Sequence, residues 1–192
     1  MSASVVFVTS RAEKAEEARR LGFPVERIDL DLPERQALDP GEIVEAKARS
    51  AFAALARPVL VEDSGLAIHA WAGFPGALVK WLEKSGGVGA LPRMLDGWPD
   101  RAATACCVVA YFDGARLRSG RGECAGTIAK APRGNGGFGW DTIFIPEGSD
   151  LTFAELPAEA KDRISHRRRA WDALAARMPQ DVLLRGRESA KA

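Results

Sequence analysis

The chain has 192 residues, 46% hydrophobic and 28% charged, with 27 Lys and Arg against 26 Asp and Glu and a formal charge of +1. That length suits one well-buried α/β core rather than two independent domains, and the charge balance excludes a broad nucleic-acid surface, which carries a basic excess. No apolar run approaches the roughly 20 residues that cross a bilayer and the N-terminus carries no export signal, so a cytoplasmic protein without a membrane partner is expected, with Cys106, Cys107 and Cys124 as buried thiols.

In chain order, residues 4–10 (SVVFVTS) have the β-branched and aromatic content of a buried strand. Ser10 and Glu13 have capping-box spacing, which predicts a helix opening at Ser10, with apolar positions Ala12, Ala15, Ala18 and Leu21 and Gly22 at its close. A strand-to-helix junction at Thr9–Ser10 turns free backbone N–H groups outward, where a phosphate fits. Asp39-Pro40-Gly41-Glu42 combines an N-cap, a first-turn proline and an acid, and predicts a long helix through Ile43, Ala46, Lys47, Ala51 and Leu55. The run VLVE (59–62) reads as a strand that stops at two adjacent carboxylates, Glu62 and Asp63, with Ser64 and Gly65 as turn residues. A Gly/Pro-rich loop (72–81) then leads into a short helix.

Residues 104–112 and 115–124 flank Asp113-Gly114, the commonest two-residue hairpin turn, so an antiparallel hairpin is expected there. Residues 134–144 form a glycine-rich loop entering a short strand, Thr152-x-x-Glu155 offers a helix start, and residues 164–178 read as a terminal amphipathic helix. The pattern is a mixed α/β sheet with flanking helices, one domain over 1–184, and a polar tail over 185–192.

Four stretches combine charge with glycines or helix starts. In TSRAEK (9–14), Lys14 lies one turn into the helix, within reach of an anion at its start. DLPERQ (31–36) and EDSG (62–65) supply carboxylates of the kind that share Mg²⁺ with water and phosphate oxygens, although a solvated turn also accounts for EDSG. GGFGWD (136–141) offers Phe138 and Trp140 either as a stacking surface for a base or as core aromatics beside a tight turn. Lys161, His166 and Arg167 either converge on a ligand or belong to a solvated basic helix face.

Taken in order, TSRAEK, DLPE, VEDSGL with AGFPGALVKW, GFGWD and Lys161 with SHR (165–167) resemble the inosine triphosphatase (Ham1-like) family of house-cleaning nucleoside-triphosphate pyrophosphatases, from about Val5 to Ala176. The resemblance implies a two-lobed mixed α/β fold around a central cleft, hydrolysis of ITP, dITP or XTP to monophosphate and pyrophosphate, Mg²⁺ as cofactor, and a homodimer. It makes Asp63 the catalytic, metal-binding carboxylate, with Glu34 and Glu62 as further metal-associated acids and Lys14 as the cation on the triphosphate. Thr9, Ser10, Arg11, Lys47, Ser64 and Lys80 would line the phosphate side. Phe138, Gly139, Trp140, Asp141, Lys161, His166 and Arg167 would form the base pocket, with His166 and Arg167 as donors to a 6-oxo group. Trp71 and Trp81 are candidates for an interface or for core packing. Two residues depart from the family pattern: Arg11 replaces a small amide, and Thr142 replaces a proline. A pyrophosphatase for another nucleotide class and a nucleotide-binding protein without turnover are the rival readings.

Overall fold

The computed structural model describes residues 5–178, and the expected tail at 185–192 lies outside them. Strand β1 (Val5–Val8) pairs in parallel with β2 (Val25–Ile28) on one side and β3 (Val59–Ile68) on the other. Parallel neighbours need crossovers, which α1 (Ala12–Arg20) and α2 (Pro40–Leu55) supply. The short β4 (Pro75–Gly76) pairs with the far end of β3 and leads into α3 (Val79–Gly86) and α4 (Ala90–Met94). The long antiparallel strands β5 (Ala102–Phe112) and β6 (Leu117–Ile128) and the short β7 (Phe144–Pro146) complete a mixed sheet ordered β2-β1-β3-β5-β6-β7. Helices α5 (Ala158–Ile164) and α6 (His166–Ala175) close the fold.

Alternation along β3 sets which helix covers which face. Val59 and Val61 pack with Val44, Ala48 and Ala51 of α2, whereas Leu60 packs with Ala15 and Ala18 of α1 and Trp171 and Leu174 of α6. Beyond residue 65 the same strand enters a third cluster, where Leu66 and Ile68 meet Val79, Leu91, Leu95, Phe144 and Phe153. Two lobes thus share the long central strands, and the cleft lies between them.

The expected end of β3 at Glu62 is corrected. The strand runs on to Ile68, with Glu62, Asp63, Ser64 and Gly65 paired to Val109, Val108, Cys107 and Cys106 of β5. What ends instead is its other neighbour: β1 stops at the pair Val8↔Val61, and β4 begins only at Leu66↔Gly76. Residues 62–65 therefore face a gap in the sheet edge, and the turn-like composition of EDSG marks that gap. Gly65 is required there because a Cβ would lie 2.7 Å from Ala77 N and Gly76 C.

Three local expectations shift for physical reasons. The Ser10/Glu13 box does not form, because the Thr9 hydroxyl accepts the Arg11 N–H at 3.2 Å and the helix starts one residue later, with Arg11 as N-cap. The hairpin forms, but Asp113 Oδ1 accepts from the N–H groups of both Ala115 and Arg116, so four residues rather than two connect Phe112 to Leu117. Thr152 and Glu155 do exchange capping-box bonds, yet Pro157 denies helical torsions to Leu156, leaving a single turn, and the helix begins at Ala158. Asp39 caps α2 as expected, accepting from Gly41 N at 2.9 Å. All three cysteines are buried free thiols, and no helix among the described residues is long and apolar enough to cross a membrane.

Candidate active site

The gap beside β3 opens into a cleft of about 560 Å³. The β1–α1 junction brings Thr9, Ser10, Arg11 and Lys14 to it, the strand centre brings Asp63 and Ser64, and α2, α3 and the 29–38 loop bring Lys47, Lys80 and Glu34. Facing them are Phe138, the turn Gly139–Thr142, and His166 and Arg167 at the start of α6, which Ser165 caps by accepting from Arg168 N. Trp81 also lines the cleft, its indole N–H bonded to Gln36 Oε1. Trp81 is thus a partly exposed cleft residue rather than core, whereas Trp71 packs edge-on to Trp98 away from the cleft.

The two adjacent carboxylates have separate surroundings. Glu62 is fully buried, receives Arg167 Nε at 3.1 Å on both oxygens, and pairs with Lys14 Nζ at 3.2 Å. Those cations hold its pKa below the usual carboxylate range despite burial. Arg167 also pairs with Glu17 of α1, and Glu17 binds Lys161 Nζ at 2.7 Å, while the same ammonium binds Asp141 Oδ2 at 2.6 Å. Glu17, at the centre, stays ionised with its pKa lowered to about 2, the Arg167 and Lys161 charges overcoming the cost of burial. The result is a largely buried network of three acids and three bases, in which Lys14, Asp141 and Arg167 border the cleft and Glu17, Glu62 and Lys161 lie behind its wall. Removing one member of such a network is costly because it strands an opposite charge.

Asp63 points toward the cleft with one oxygen accepting Ser64 N–H at 2.8 Å, and burial raises its pKa against the pull of Lys14 and Lys47. Burial and the nearby Lys14 lower the pKa of Lys47, and burial with Lys84 and Lys14 lowers that of Lys80. Lys47 and Lys80 share the Glu34 carboxylate. Cations crowded into partly dry space gain most from a polyanion.

At the opposite end, Asp141 accepts from Phe138 N at 2.8 Å and thereby shapes the glycine loop, so its carboxylate is engaged within the protein. Trp140 is buried against Phe144 and His166 and forms wall, whereas the half-buried Phe138 offers a ring surface. His166 is 1% exposed, with neither ring nitrogen bonded, and burial followed by Arg167 and Lys161 drives its pKa well below 6.5.

The Ham1 family profile matches residues 5–177. The chain belongs to the Ham1 family. It is 44% identical over 176 residues to a dITP/XTP pyrophosphatase of Methanopyrus kandleri, covering 89% of this chain and 94% of that protein. It is 45% identical to inosine triphosphate pyrophosphatase 1 of Trypanosoma cruzi over 79% of each chain. Among solved structures, the Staphylococcus aureus Ham1 protein superposes with a TM-score of 0.76 at 28% identity, covering 89% of this chain and 96% of that one. The Mycobacterium abscessus dITP/XTP pyrophosphatase gives 0.68 at 32% identity, covering 91% and 98%.

Within this Ham1 fold, most of the residues singled out in the sequence line one cleft. Glu62 and Lys161 do not: both lie behind the wall in the ion network. Arg167 borders the cleft, but its guanidinium is taken up by Glu62 and Glu17. Sequence reasoning passed over Glu17 and Glu83. Glu17 follows Lys14 by three residues, on the stripe that carries Ala15 and Ala18, and a charged residue on a buried stripe was the available signal. Glu83 follows Lys80 at the same spacing on α3.

No group of three or more metal-ligating side chains occurs among the described residues. A magnesium ion does not need one, since one or two carboxylates plus phosphate oxygens and water complete its shell. Asp63 fits that chemistry, and Glu34 fits once Lys47 and Lys80 turn to a phosphate. Glu62, saturated by Arg167 and Lys14, does not.

Proposed function

We propose that this Ham1-family protein hydrolyses non-canonical purine nucleoside triphosphates such as ITP, dITP and XTP to the monophosphate and pyrophosphate. The observation that carries the reading is one cleft in which Lys14 and Lys47 flank the raised-pKa carboxylate of Asp63 and Lys80 adds a third cation, opposite an aromatic wall. The triphosphate settles on the lysines and the N–H groups at the start of α1, relieving their mutual repulsion. Asp63 orients a water toward the α–β anhydride and takes its proton as the new P–O bond forms. The bridging oxygen leaves with pyrophosphate, whose charge the lysines neutralise. Asp63 and Glu34 would hold Mg²⁺, which when bound adds positive charge at the phosphates. Phe138 stacks the base.

Incubation with ITP and Mg²⁺ tests this. IMP with pyrophosphate is expected; stepwise orthophosphate, or faster turnover of dTTP or ATP than of ITP and XTP, would reject it. The homodimer remains part of the proposal, supported by the aromatic cluster Trp71, Phe74 and Trp98, in which Phe74 and Trp98 are exposed. Light scattering at micromolar concentration should give twice the chain mass.

A further inference from the structure

Between α3 and the Gly139–Thr142 turn, the cleft wall holds a carboxylate that the phosphate chemistry does not use. Glu83 turns inward with its side chain 14% exposed, and its Oε2 pairs with Arg11 Nη2 at 3.5 Å. Its Oε1 is buried with no hydrogen-bond partner. Gly139, at φ +59°, leaves the approach open: a Cβ there would stand 3.2 Å from Oε1 and 3.6 Å from Arg11 Nη1. The next residue, Trp140, packs on His166 with ring centroids 5.1 Å apart, and both His166 nitrogens are equally unpartnered. Glu83 and His166 both line this cleft, which thus presents an orphan acceptor and an orphan neutral imidazole. Buried polar groups without partners are unfavourable, so a ligand that completes both is stabilised.

We propose that Glu83 is a specificity-determining residue that reads the N1–H of a 6-oxopurine: Oε1 accepts this N–H, a His166 N–H donates to the 6-oxo oxygen, and Arg11 holds the carboxylate through Oε2. This rests on the nucleotide reading above and adds the residue that sets the substrate class. Adenine presents a bare N1 and a 6-amino group at the same edge, setting acceptor against acceptor and donor against donor. Guanine shares the N1–H and 6-oxo pattern, so the pair separates 6-oxo from 6-amino purines and not ITP from GTP. Arg11, the cation at a position where the family pattern has a small amide, gains a function as the clamp on Glu83, with its guanidinium 5.6 Å over the Phe138 ring.

The test compares kcat/KM for ITP and ATP in the wild type, Glu83→Ala, Glu83→Gln and Arg11→Ala, with thermal unfolding as a fold check. Glu83→Ala should lower kcat/KM for ITP about 10- to 100-fold, mainly through KM, the factor expected for losing one buried hydrogen-bond partner, and should raise that for ATP because the acceptor opposing N1 of adenine is gone. Glu83→Gln, nearly isosteric and able to donate to N1 of adenine, should raise ATP turnover relative to ITP even if the alanine variant folds poorly. Arg11→Ala should move the ratio the same way by less. Parallel loss on both substrates, or an unchanged ratio in folded variants of an ITP-active enzyme, would overturn this inference alone. A wild type that releases no pyrophosphate from ITP would overturn the function and this inference together.

Discussion

Glu62 and Asp63 are neighbours whose side chains leave an extended strand on opposite faces, and that alternation divides their duties. Glu62 lies in an ion network, whereas Asp63 is buried beside Lys14 and Lys47 at the cleft. Its pKa is raised in the fold, so the charge that the proposed hydrolysis would use opposes stability at pH values above it. Asp63→Asn should therefore lower kcat about 10²- to 10⁴-fold while leaving the melting temperature unchanged or higher. Residual turnover near the wild-type rate would remove Asp63 from its assigned role. His166 obeys the complementary sign rule. Its folded pKa lies well below the 6.5 of the unfolded chain, so the stability it permits is complete above pH 6.5 and is lost as pH falls from there toward the lowered value. Between pH 6.5 and 5 the unfolding free energy should fall by up to about 1.4 kcal/mol per pH unit on this account, and His166→Asn should flatten that slope in denaturant titrations. Identical slopes would assign the acid sensitivity to other groups.

At the scale of elements, α1 is joined to α6 and to the base loop by charge as well as by apolar contact. Glu17→Gln removes a charge on which Lys161 and Arg167 both depend, and should cost about 3 to 5 kcal/mol in urea unfolding. A loss below about 1 kcal/mol, the level of an exposed pair, would show the network to be solvated in solution. This is also where the sequence was hardest to read. Strands rich in β-branched residues, the Asp39-Pro40 helix start and the residues of the five ordered motifs were visible because local composition and fold agree. EDSG was misread because Asp, Ser and Gly have the same composition in a turn as at a gap in a sheet edge, and only pairing with β5 separates the two. Thr152-x-x-Glu155 formed its bonds without its helix because Pro157 acts on the residue before it. Lys161 and Arg167 resemble a solvated basic face until Glu17, more than 140 positions away, is placed beside them.

At the scale of the molecule, the described residues combine crowded cleft cations with a chain of nearly neutral overall charge, so anion affinity is local rather than general. Inorganic tripolyphosphate, which has no base, should therefore raise the melting temperature in metal-free buffer in a concentration-dependent way, as mass action on a folded-state site requires. The shift should shrink in Lys47→Ala and Lys80→Ala and weaken with added salt. An equal shift in both variants would place the anion elsewhere.

The buried run Glu62–Arg167–Glu17–Lys161–Asp141 starts next to Asp63, the carboxylate proposed to activate water, and ends at the loop that carries Phe138. On the proposed function it would work as a caliper, gauging the span from the reacting phosphate to the stacked heterocycle through side chains held mainly by one another. A change at Glu17 that leaves the protein folded should therefore disturb turnover and base preference in step, because both jaws are fixed to the same bar.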